Sequence, residues 1–274
     1  MVVDIKTVAV IGAGFLGYEI CSQVASYNFT VRIFDVNTDK LKLFARKIMR
    51  RKKKKGALGE VTYHQTLNEA VADADLIIEA VPENLELKKD VFSQIDKAAP
   101  PHAIIATNSS SIPVSKIEDA VSVPRKDKVL NLHFYHRAVP MVDIMRGTQT
   151  TEETFNTGKM FLENIQLTPL EVKRECLGFV FNRIWHATKK EALNSWAKGY
   201  ADIETIDASW KIFTGMSLGI FEIMDNIGLD TVYSVEMTYY KESGDDRDKP
   251  PQALKDMIDR GEIGVKTNKG FYTY

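Results

Sequence analysis

A glycine-rich segment near the start of the chain constrains the fold more than any other sequence feature. Residues Val8–Tyr18 read Val-Ala-Val-Ile-Gly-Ala-Gly-Phe-Leu-Gly-Tyr. The apolar run Thr7–Ile11 is typical of a strand buried on both faces of a parallel sheet. Gly12 permits a tight turn, Gly14 lets the backbone approach a phosphate closely, and Gly17 lets the next helix pack on the strand. The segment therefore predicts a strand, a turn and a helix whose N-terminus binds a phosphate.

The sequence that follows indicates a dinucleotide site. A second apolar strand, Thr30–Phe34, ends at Asp35. A carboxylate at this position accepts hydrogen bonds from an adenosine ribose and repels a 2′-phosphate, which favours NAD over NADP. The alternative is an ordinary glycine turn with a capping aspartate. The residues predicted to bind NAD are Gly12, Gly14, Phe15, Leu16, Gly17 and Asp35.

The composition is that of a globular protein with more than one domain. The chain has 274 residues, 44% of them hydrophobic and 27% charged, and this length is sufficient for two separate cores. The 36 basic and 37 acidic side chains leave a formal charge of -1. Because this balance produces no strong field of either sign, we expect neither nucleic acid nor a membrane as a partner.

The two cysteines, Cys21 and Cys176, are far apart, and neither has the spacing of a metal ligand. We predict that both are packing residues, that no metal is bound, and that the compartment is reducing. The chain begins directly with its first strand, and no apolar span reaches membrane length. A cytoplasmic location is therefore expected.

Strands and helices alternate until about Cys176, after which the pattern is helical throughout. We predict an α/β fold in which residues 1–176 form an N-terminal Rossmann domain with a doubly wound sheet, and residues 177–274 form an all-α C-terminal domain. Apolar faces left on the helices of so small a domain predict a homodimer. The further predicted strands are Val61–His64, Leu76–Ala80, Ala103–Ala106, Val129–Phe134, Met141–Met145 and Pro169–Val172.

One helix of the second domain has a clear apolar periodicity. It spans Phe179–Lys198 and ends at Gly199. Its predicted apolar face consists of Phe181, Ile184, Trp185, Thr188, Ala192 and Trp196.

Polar side chains follow two central strands of the predicted sheet. Glu83 and Lys88 come after one strand, and five small polar residues, Thr107–Ser111, follow the next. Because the carboxyl ends of strands line the crevice of a doubly wound sheet, we predict that these groups contact cofactor and substrate. The alternatives are a first-turn acid with an exposed lysine, and an ordinary polar loop.

His133 and Asp143 lie on two successive predicted strands. An isolated histidine in an apolar strand is more often structural. A histidine near a carboxylate that follows a cofactor-binding half instead indicates acid–base chemistry.

A run of six basic residues, Arg50–Lys55, ends the second helix. It is either a solvated helix end or a phosphate-binding patch. Since no aromatic residues are interleaved with it, a polyphosphate-bearing small molecule is favoured over nucleic acid.

The order of these motifs resembles the L-3-hydroxyacyl-CoA dehydrogenase family, which includes bacterial 3-hydroxybutyryl-CoA dehydrogenases, over almost the whole chain. Several motifs in one order are far more specific than a single glycine loop. The matching segments are Ile11–Gly17, Glu79–Asn84, Asn108–Ser111, Leu132–Phe134, Gly178–Arg183, Leu218–Glu222, Asp225, Gly228–Thr231 and Lys266–Tyr272.

This resemblance implies an NAD-binding Rossmann domain and a helical, dimer-forming domain that closes over an acyl-CoA thioester. His133 matches the histidine that removes the hydroxyl proton while C3 loses hydride, and a neighbouring carboxylate orients its ring. Ser110 and Asn182 match positions that bind the substrate, and Ser110 and Lys266 match positions near the cofactor. Fatty acid β-oxidation and butanoate metabolism are the implied pathways. The cations placed at the CoA phosphates by position and charge are Arg50, Arg51, Lys52 and Lys53.

The chain departs from the family pattern after the histidine. The family has Asn-Pro and then a glutamate, whereas this chain has Tyr135-His136-Arg137-Ala138. With a two-residue deletion, Asp143 replaces the glutamate; without it, Met145 occupies that position and the acid is absent. His136 and Arg137 also predict an unusual acyl end of the substrate.

Two alternatives remain open. One is a related NAD-dependent dehydrogenase of a free hydroxy acid, which would need no polyphosphate site. The other is a catalytically weak, crystallin-like NAD-binding protein, which the altered Asp143 region favours.

Overall fold

The computed structural model describes residues 4–55, 59–136 and 139–274, with only the backbone described for residues 51–55. The chain divides into two compact units, Met1–Phe179 and Val180–Tyr274. The division lies close to the boundary predicted after Cys176.

The first unit is built on one eight-stranded sheet within the described residues. Its strands are β1 (Thr7–Ile11), β2 (Thr30–Phe34), β3 (Val61–Tyr63), β4 (Leu76–Glu79), β5 (Ile104–Thr107), β6 (Val129–Phe134), β7 (Met141–Arg146) and β8 (Thr168–Val172). Their order is β3-β2-β1-β4-β5-β6-β7-β8. The strands from β3 to β6 in this order run parallel, while β7 is antiparallel to β6 and parallel to β8. This doubly wound order confirms the predicted Rossmann fold.

Helices cover both faces of the sheet. Val8 and Val10 of β1 point into one core, which α1, α2 and α5 cover, whereas Ala9 and Ile11 point into the other, beneath α3 and α4. These strand residues are at most 2% exposed, so the continuous apolar sequence of β1 follows from burial on both faces. The helices are α1 (Phe15–Ala25), α2 (Thr38–Lys55), α3 (Leu67–Val71), α4 (Leu85–Ala98) and α5 (Glu152–Asn164).

Side-chain caps set the first residues of two helices. Asn84 Oδ1 accepts a hydrogen bond from the Leu87 N–H at the start of α4. Thr151 Oγ1 accepts one from the Thr154 N–H, so Thr151 is the cap of α5 and not its first helical residue. The helix therefore begins at Glu152, because the cap itself has extended backbone angles.

The second unit is helical in its described residues and contains α6 (Phe181–Ala197), α7 (Ile203–Thr214), α8 (Ile220–Ile227), α9 (Leu229–Ser243) and α10 (Gln252–Asp259). Two buried carboxylates tie its segments together. Asp207 accepts hydrogen bonds from the Phe221 N–H and the Tyr272 hydroxyl, and Asp225 accepts from the Tyr272 N–H and the Tyr274 hydroxyl. The C-terminal segment is thereby fixed to α7 and α8 of the same unit.

The face that α6 buries differs from the predicted one. Phe181 and Ile184 are 45% and 61% exposed, whereas His186 and Lys189 are buried. Glu236 of α9 pairs with both buried groups, with His186 Nδ1 2.6 Å and Lys189 Nζ 2.6 Å from its carboxylate oxygens. The apolar periodicity misplaced this face because a buried histidine and lysine read as polar in sequence. Trp185, Ala192 and Trp196 do pack in the core of the unit.

No helix in the described parts of the chain is long and apolar enough to cross a membrane.

Candidate active site

The glycine loop has the backbone geometry that the sequence predicts. Gly12 has φ +116, and a Cβ there would lie 2.6 Å from the Ala80 carbonyl oxygen, while a Cβ on Gly17 would lie 1.9 Å from the Gly12 carbonyl oxygen. Both positions therefore exclude larger residues. A Cβ on Gly14 would meet no protein atom within 4 Å. The space beside Gly14 is open, as a ligand phosphate requires.

The start of α1 presents unpaired donors to this open space. Gly14 is the N-cap, and no side chain caps the helix, so amide hydrogens of the first turn remain available to an anion. Phe15 is 63% exposed, and its ring stacks on that of His136 with centroids 5.7 Å apart. Leu16 is half-buried beside it.

Asp35 closes the other side of the loop. Its Oδ2 accepts a hydrogen bond from the Ala13 N–H at 2.7 Å, and its Oδ1 accepts one from the Asn37 N–H at 2.7 Å. The carboxylate is thus held against the glycine loop at the end of β2, and its remaining lone pairs can accept from ribose hydroxyls. With the opening at Gly14 and the uncapped helix, these residues fit a dinucleotide such as NAD.

Lys88 is buried and pairs with Glu83, whose carboxylate stays partly exposed, in a network that the sequence did not indicate. Lys88 is 1% exposed, and its Nζ lies 2.8 Å from Glu79 Oε1 and 3.3 Å from Glu83 Oε2. Burial by itself raises the pKa of the Glu83 carboxyl. The charge of Lys88 and hydrogen bonds from Ser109 and Ser111 outweigh burial and hold this pKa below its ordinary value. The network keeps Glu83 ionised at the mouth of the crevice.

Glu83 organises the polar loop after β5. Its Oε1 accepts from the Ser109 hydroxyl at 2.5 Å, the Ser111 hydroxyl at 2.7 Å and the Ser111 N–H at 2.9 Å. Ser110 is exposed, and its hydroxyl makes no hydrogen bond to the described residues. Of these three serines, Ser110 is therefore the one free to contact a ligand.

Two asparagines attach the same loop to β6: Asn108, which belongs to the predicted polar loop, and Asn131, which the sequence did not indicate. Asn131 Nδ2 donates to the Ser109 carbonyl at 3.0 Å, and Asn108 Oδ1 accepts from the Phe134 N–H at 2.8 Å. Asn131 lies two residues before His133, and Phe134 follows His133 directly. Only the parallel pairing of β5 with β6 brings Asn131 to this loop, so no local signal could have identified it.

His133 and Asp143 form a buried pair. They are directly opposed in the antiparallel register of β6 and β7, and Nδ1 of the histidine lies 3.2 Å from Oδ2 of the aspartate. Their exposures are 4% and 0%. Met145, the other candidate for the acid position, is paired with Asn131 instead. Asp143 is therefore the acid of β7 that faces the histidine.

Aromatic rings contact the histidine on more than one side. The His133 ring lies 4.5 Å from the Tyr135 ring and 5.0 Å from the Phe179 ring, measured between centroids. The Tyr135 hydroxyl also donates to Asp143 Oδ2 at 2.6 Å. The sequence reasoning noted Tyr135 as part of a departure but assigned it no role.

Other predicted site residues lie elsewhere. Asn182 is half-buried in the first turn of α6, and Lys266 pairs with Asp230 at 3.0 Å, both within the second unit. Arg50 is exposed on α2. The side chains of four residues singled out in the sequence are not among those that the structure describes: Arg51, Lys52, Lys53 and Arg137.

Residues 7–176 match the family model described as 3-hydroxyacyl-CoA dehydrogenase, NAD binding domain, and residues 178–274 match the C-terminal domain model of the same family. The chain belongs to the 3-hydroxyacyl-CoA dehydrogenase family. Its cofactor is NAD, and the predicted resemblance, enzyme class and cofactor are confirmed.

Similar proteins extend over nearly the whole length of this family member. The probable 3-hydroxybutyryl-CoA dehydrogenase of Bacillus subtilis is 33% identical over 285 residues, covering 99% of this chain and 98% of that protein. The solved (S)-3-hydroxybutyryl-CoA dehydrogenase of Ralstonia eutropha is 28% identical, with a TM-score of 0.86 and 99% of each chain covered. A solved diketoreductase is 36% identical, with a TM-score of 0.88, covering 98% of this chain and 99% of that one.

Proposed function

We propose that this enzyme interconverts an L-3-hydroxyacyl-CoA and the corresponding 3-oxoacyl-CoA, with His133 as the general base. The observation that carries the proposal is the buried His133–Asp143 pair at the carboxyl end of β6. It lies in the same unit as a loop and helix start that fit NAD. A base beside the dinucleotide crevice is the arrangement that hydroxyl oxidation requires.

His133 removes the proton from the substrate hydroxyl. Donation of its Nδ1–H to Asp143 leaves Nε2 as the nitrogen that accepts this proton. Bound NAD would supply the hydride acceptor for C3, and the products would be the 3-oxoacyl-CoA, NADH and one proton. Asp143 stabilises the imidazolium once the proton has moved, and the reverse reaction uses that imidazolium as the acid.

The glycine loop and Asp35 hold the two ends of the adenosine diphosphate portion. The first-turn amides of α1 contact the pyrophosphate, Gly14 allows its close approach, and Asp35 accepts from the ribose. Phe15 and Leu16 follow Gly14 in the first turn of the same helix. Glu83 and Lys88 then act mainly through the loop they organise, since the Lys88 ammonium already has carboxylate partners.

Substrate contacts are assigned by match to the family motifs. Ser110 presents its hydroxyl to the substrate oxygen, and Asn182 binds the thioester end. Lys266 remains a proposed cofactor contact. The cations proposed for the CoA phosphates are Arg50, Arg51, Lys52 and Lys53.

We further propose a cytoplasmic homodimer that acts in fatty acid β-oxidation and butanoate metabolism. The pairing is supported by exposed apolar side chains of the helical unit. Ile212 is 84% exposed and Phe213 is 92% exposed, which is unusual for neighbouring large apolar residues on an isolated protein.

A second candidate function is reduction of a dicarbonyl compound that carries no CoA. The likeness to a solved diketoreductase, 36% identical, favours it. The two are separated by measuring kcat/KM for acetoacetyl-CoA and for acetoacetate with NADH. Our proposal predicts strong preference for the CoA ester; equal values for both substrates would support the second function.

The basic run provides an independent test of the CoA assignment. Replacing Arg50, Arg51, Lys52 and Lys53 by alanine raises the KM for acetoacetyl-CoA if these cations contact the CoA phosphates. A matched control removes Lys40 and Lys42 at the other end of α2. Equal KM values in the two variants would contradict the assignment.

A further inference from the structure

Asp143 receives hydrogen bonds from two side chains on one oxygen. Its Oδ2 lies 2.6 Å from the Tyr135 hydroxyl and 3.2 Å from His133 Nδ1. Its Oδ1 is buried and has no hydrogen-bond partner among the described residues. The shorter contact is thus made by the tyrosine, and the carboxylate depends on both donors for its orientation.

We propose that Tyr135 is a positioning residue for the reaction, acting through Asp143; the inference rests on the proposed role of His133 as the base. Tyr135 holds the carboxylate and takes part of its negative charge through a charge-assisted hydrogen bond. Its ring also packs against the imidazole, with an angle of 65° between the ring planes. One side chain therefore sets both the orientation of the histidine and the strength of its acceptor.

The strand geometry explains why this residue reaches both partners. Tyr135 follows the last residue of β6 and lies two residues after His133, and both side chains reach Oδ2 of the same aspartate. Asp143 lies opposite His133 on β7. The Tyr135 hydroxyl therefore gives the Asp143 carboxylate a second hydrogen bond. Without it, His133 would be the one side chain that fixes the orientation of this carboxylate among the described residues.

The hydrogen bond has a defined effect on proton transfer. The hydroxyl stabilises the full charge of the Asp143 carboxylate more when His133 is neutral than when an imidazolium already neutralises it. Removing the hydroxyl therefore makes the pair retain its proton to higher pH. The other titratable groups near Tyr135 are Glu19 of α1, which lines the same small cavity, and His136, which stacks on Phe15.

The kinetic test compares Tyr135→Phe with Tyr27→Phe, an exposed tyrosine, and with Glu19→Gln. For oxidation of 3-hydroxybutyryl-CoA, the acidic limb of the kcat/KM profile moves to higher pH by about one unit in Tyr135→Phe, the size expected for one charge-assisted hydrogen bond. The KM for NAD stays within about twofold, because affinity for the cofactor is not involved. An unmoved limb, or the same movement in Tyr27→Phe or Glu19→Gln, overturns the proposal.

A second measurement does not depend on turnover. Side-chain ¹⁵N NMR follows protonation of the His133 ring. We expect the pH midpoint of this protonation to rise in Tyr135→Phe and to stay unchanged in Tyr27→Phe. With 3-fluorotyrosine incorporated at position 135, whose phenol is a stronger donor, the midpoint falls. This replacement keeps the shape of the side chain. It therefore tests whether the hydrogen bond from position 135 changes the protonation of His133 even if the phenylalanine variant does not fold.

The activity of His133→Ala and the NMR midpoints together separate failure of this inference from failure of the proposed function. If His133→Ala retains full activity, the proposed base is wrong, while the NMR midpoints still decide whether Tyr135 acts on the pair. If His133→Ala is inactive and the midpoints do not respond to position 135, the base stands and the positioning role is wrong.

Discussion

His133 and Asp143 face each other across β6 and β7, with Nδ1 3.2 Å from Oδ2. The connection between the two strands decides which residue of β7 lies opposite the histidine. The observed antiparallel register places Asp143 opposite the histidine, and the short aspartate side chain reaches the ring.

Replacing Asp143 by asparagine tests this relationship. The amide keeps the size of the carboxylate but cannot stabilise an imidazolium by charge, so we expect kcat for acetoacetyl-CoA reduction to fall about a hundredfold or more. Steady-state NADH absorbance measures the effect. Asp119→Asn, at an exposed acid paired with Lys126, is the control and retains activity. Equal kcat values in both variants would contradict the role of the pair.

Gly14→Ala separates cofactor binding from folding. A Cβ at Gly14 meets no protein atom within 4 Å, so only the weaker N-cap preference of alanine opposes the change, and the free energy of unfolding should fall by about 0.5–1 kcal/mol. The same methyl group occupies the space assigned to the pyrophosphate, and NADH binding should weaken by about tenfold, or about 1.4 kcal/mol. Fluorescence titration with NADH and thermal unfolding give the two values.

Gly12→Ala is the matched comparison. Here φ is +116 and the new Cβ would lie 2.6 Å from the Ala80 carbonyl oxygen, so we expect a loss of about 1–3 kcal/mol in stability before any ligand is added. If Gly14→Ala destabilises the free protein as much as Gly12→Ala, the open space at Gly14 is not a ligand site.

Glu83 gives a pH-dependent prediction for the crevice loop. Its pKa is lower in the folded protein than its ordinary value of 4.5, because Lys88 and the serine hydrogen bonds outweigh burial. A group of this kind stabilises the fold above its unfolded pKa and loses that contribution as the pH falls through the folded pKa. Glu83→Gln should therefore lower the thermal midpoint at pH 7, and the difference from the wild type should close below about pH 4.5.

The exposed first-turn acid Glu86 provides the control for this experiment. The Glu86 side chain makes none of the serine and Lys88 contacts of Glu83, so Glu86→Gln should change the thermal midpoint little at every pH. A difference between wild type and Glu83→Gln that persists unchanged into acid would show that Glu83 acts by shape and not by charge.

The buried network of the helical unit predicts a large stability effect. Glu236→Gln removes the charge that offsets Lys189, whose Nζ lies 2.6 Å away, and an uncompensated buried ammonium costs about 3 kcal/mol. The three tryptophans, Trp185, Trp196 and Trp210, all lie in this unit, so urea unfolding followed by their fluorescence reports it directly. Glu242→Gln on the exposed end of α9 should leave the transition unchanged; an equal effect in both variants would contradict the account.

The sequence predicted most of the fold because the decisive signals are local. The run Thr7–Ile11 and the glycines after it define a strand and a helix start without reference to the rest of the chain. The pairing of Asp35 with the Ala13 N–H follows the same motif. Strand ends shifted by one residue, as between the predicted strand Val61–His64 and the observed strand Val61–Tyr63.

What the sequence could not provide depends on long-range pairing. Lys88 reads as an exposed lysine, yet its ammonium lies between two carboxylates in the interior. Asn131 and Tyr135 acquire roles only when β6 pairs with its neighbours. The choice between Asp143 and Met145 as the acid depends on the register of β6 against β7, which an aligned motif alone left open.

The most direct test of the account is NADH oxidation by the purified protein with acetoacetyl-CoA, in parallel with NADPH, for wild type and His133→Ala. We predict rapid oxidation of NADH by the wild type, much slower oxidation of NADPH because Asp35 excludes the 2′-phosphate, and loss of activity in His133→Ala. Absence of oxidation by the wild type, or full activity without the histidine, would contradict the central claim.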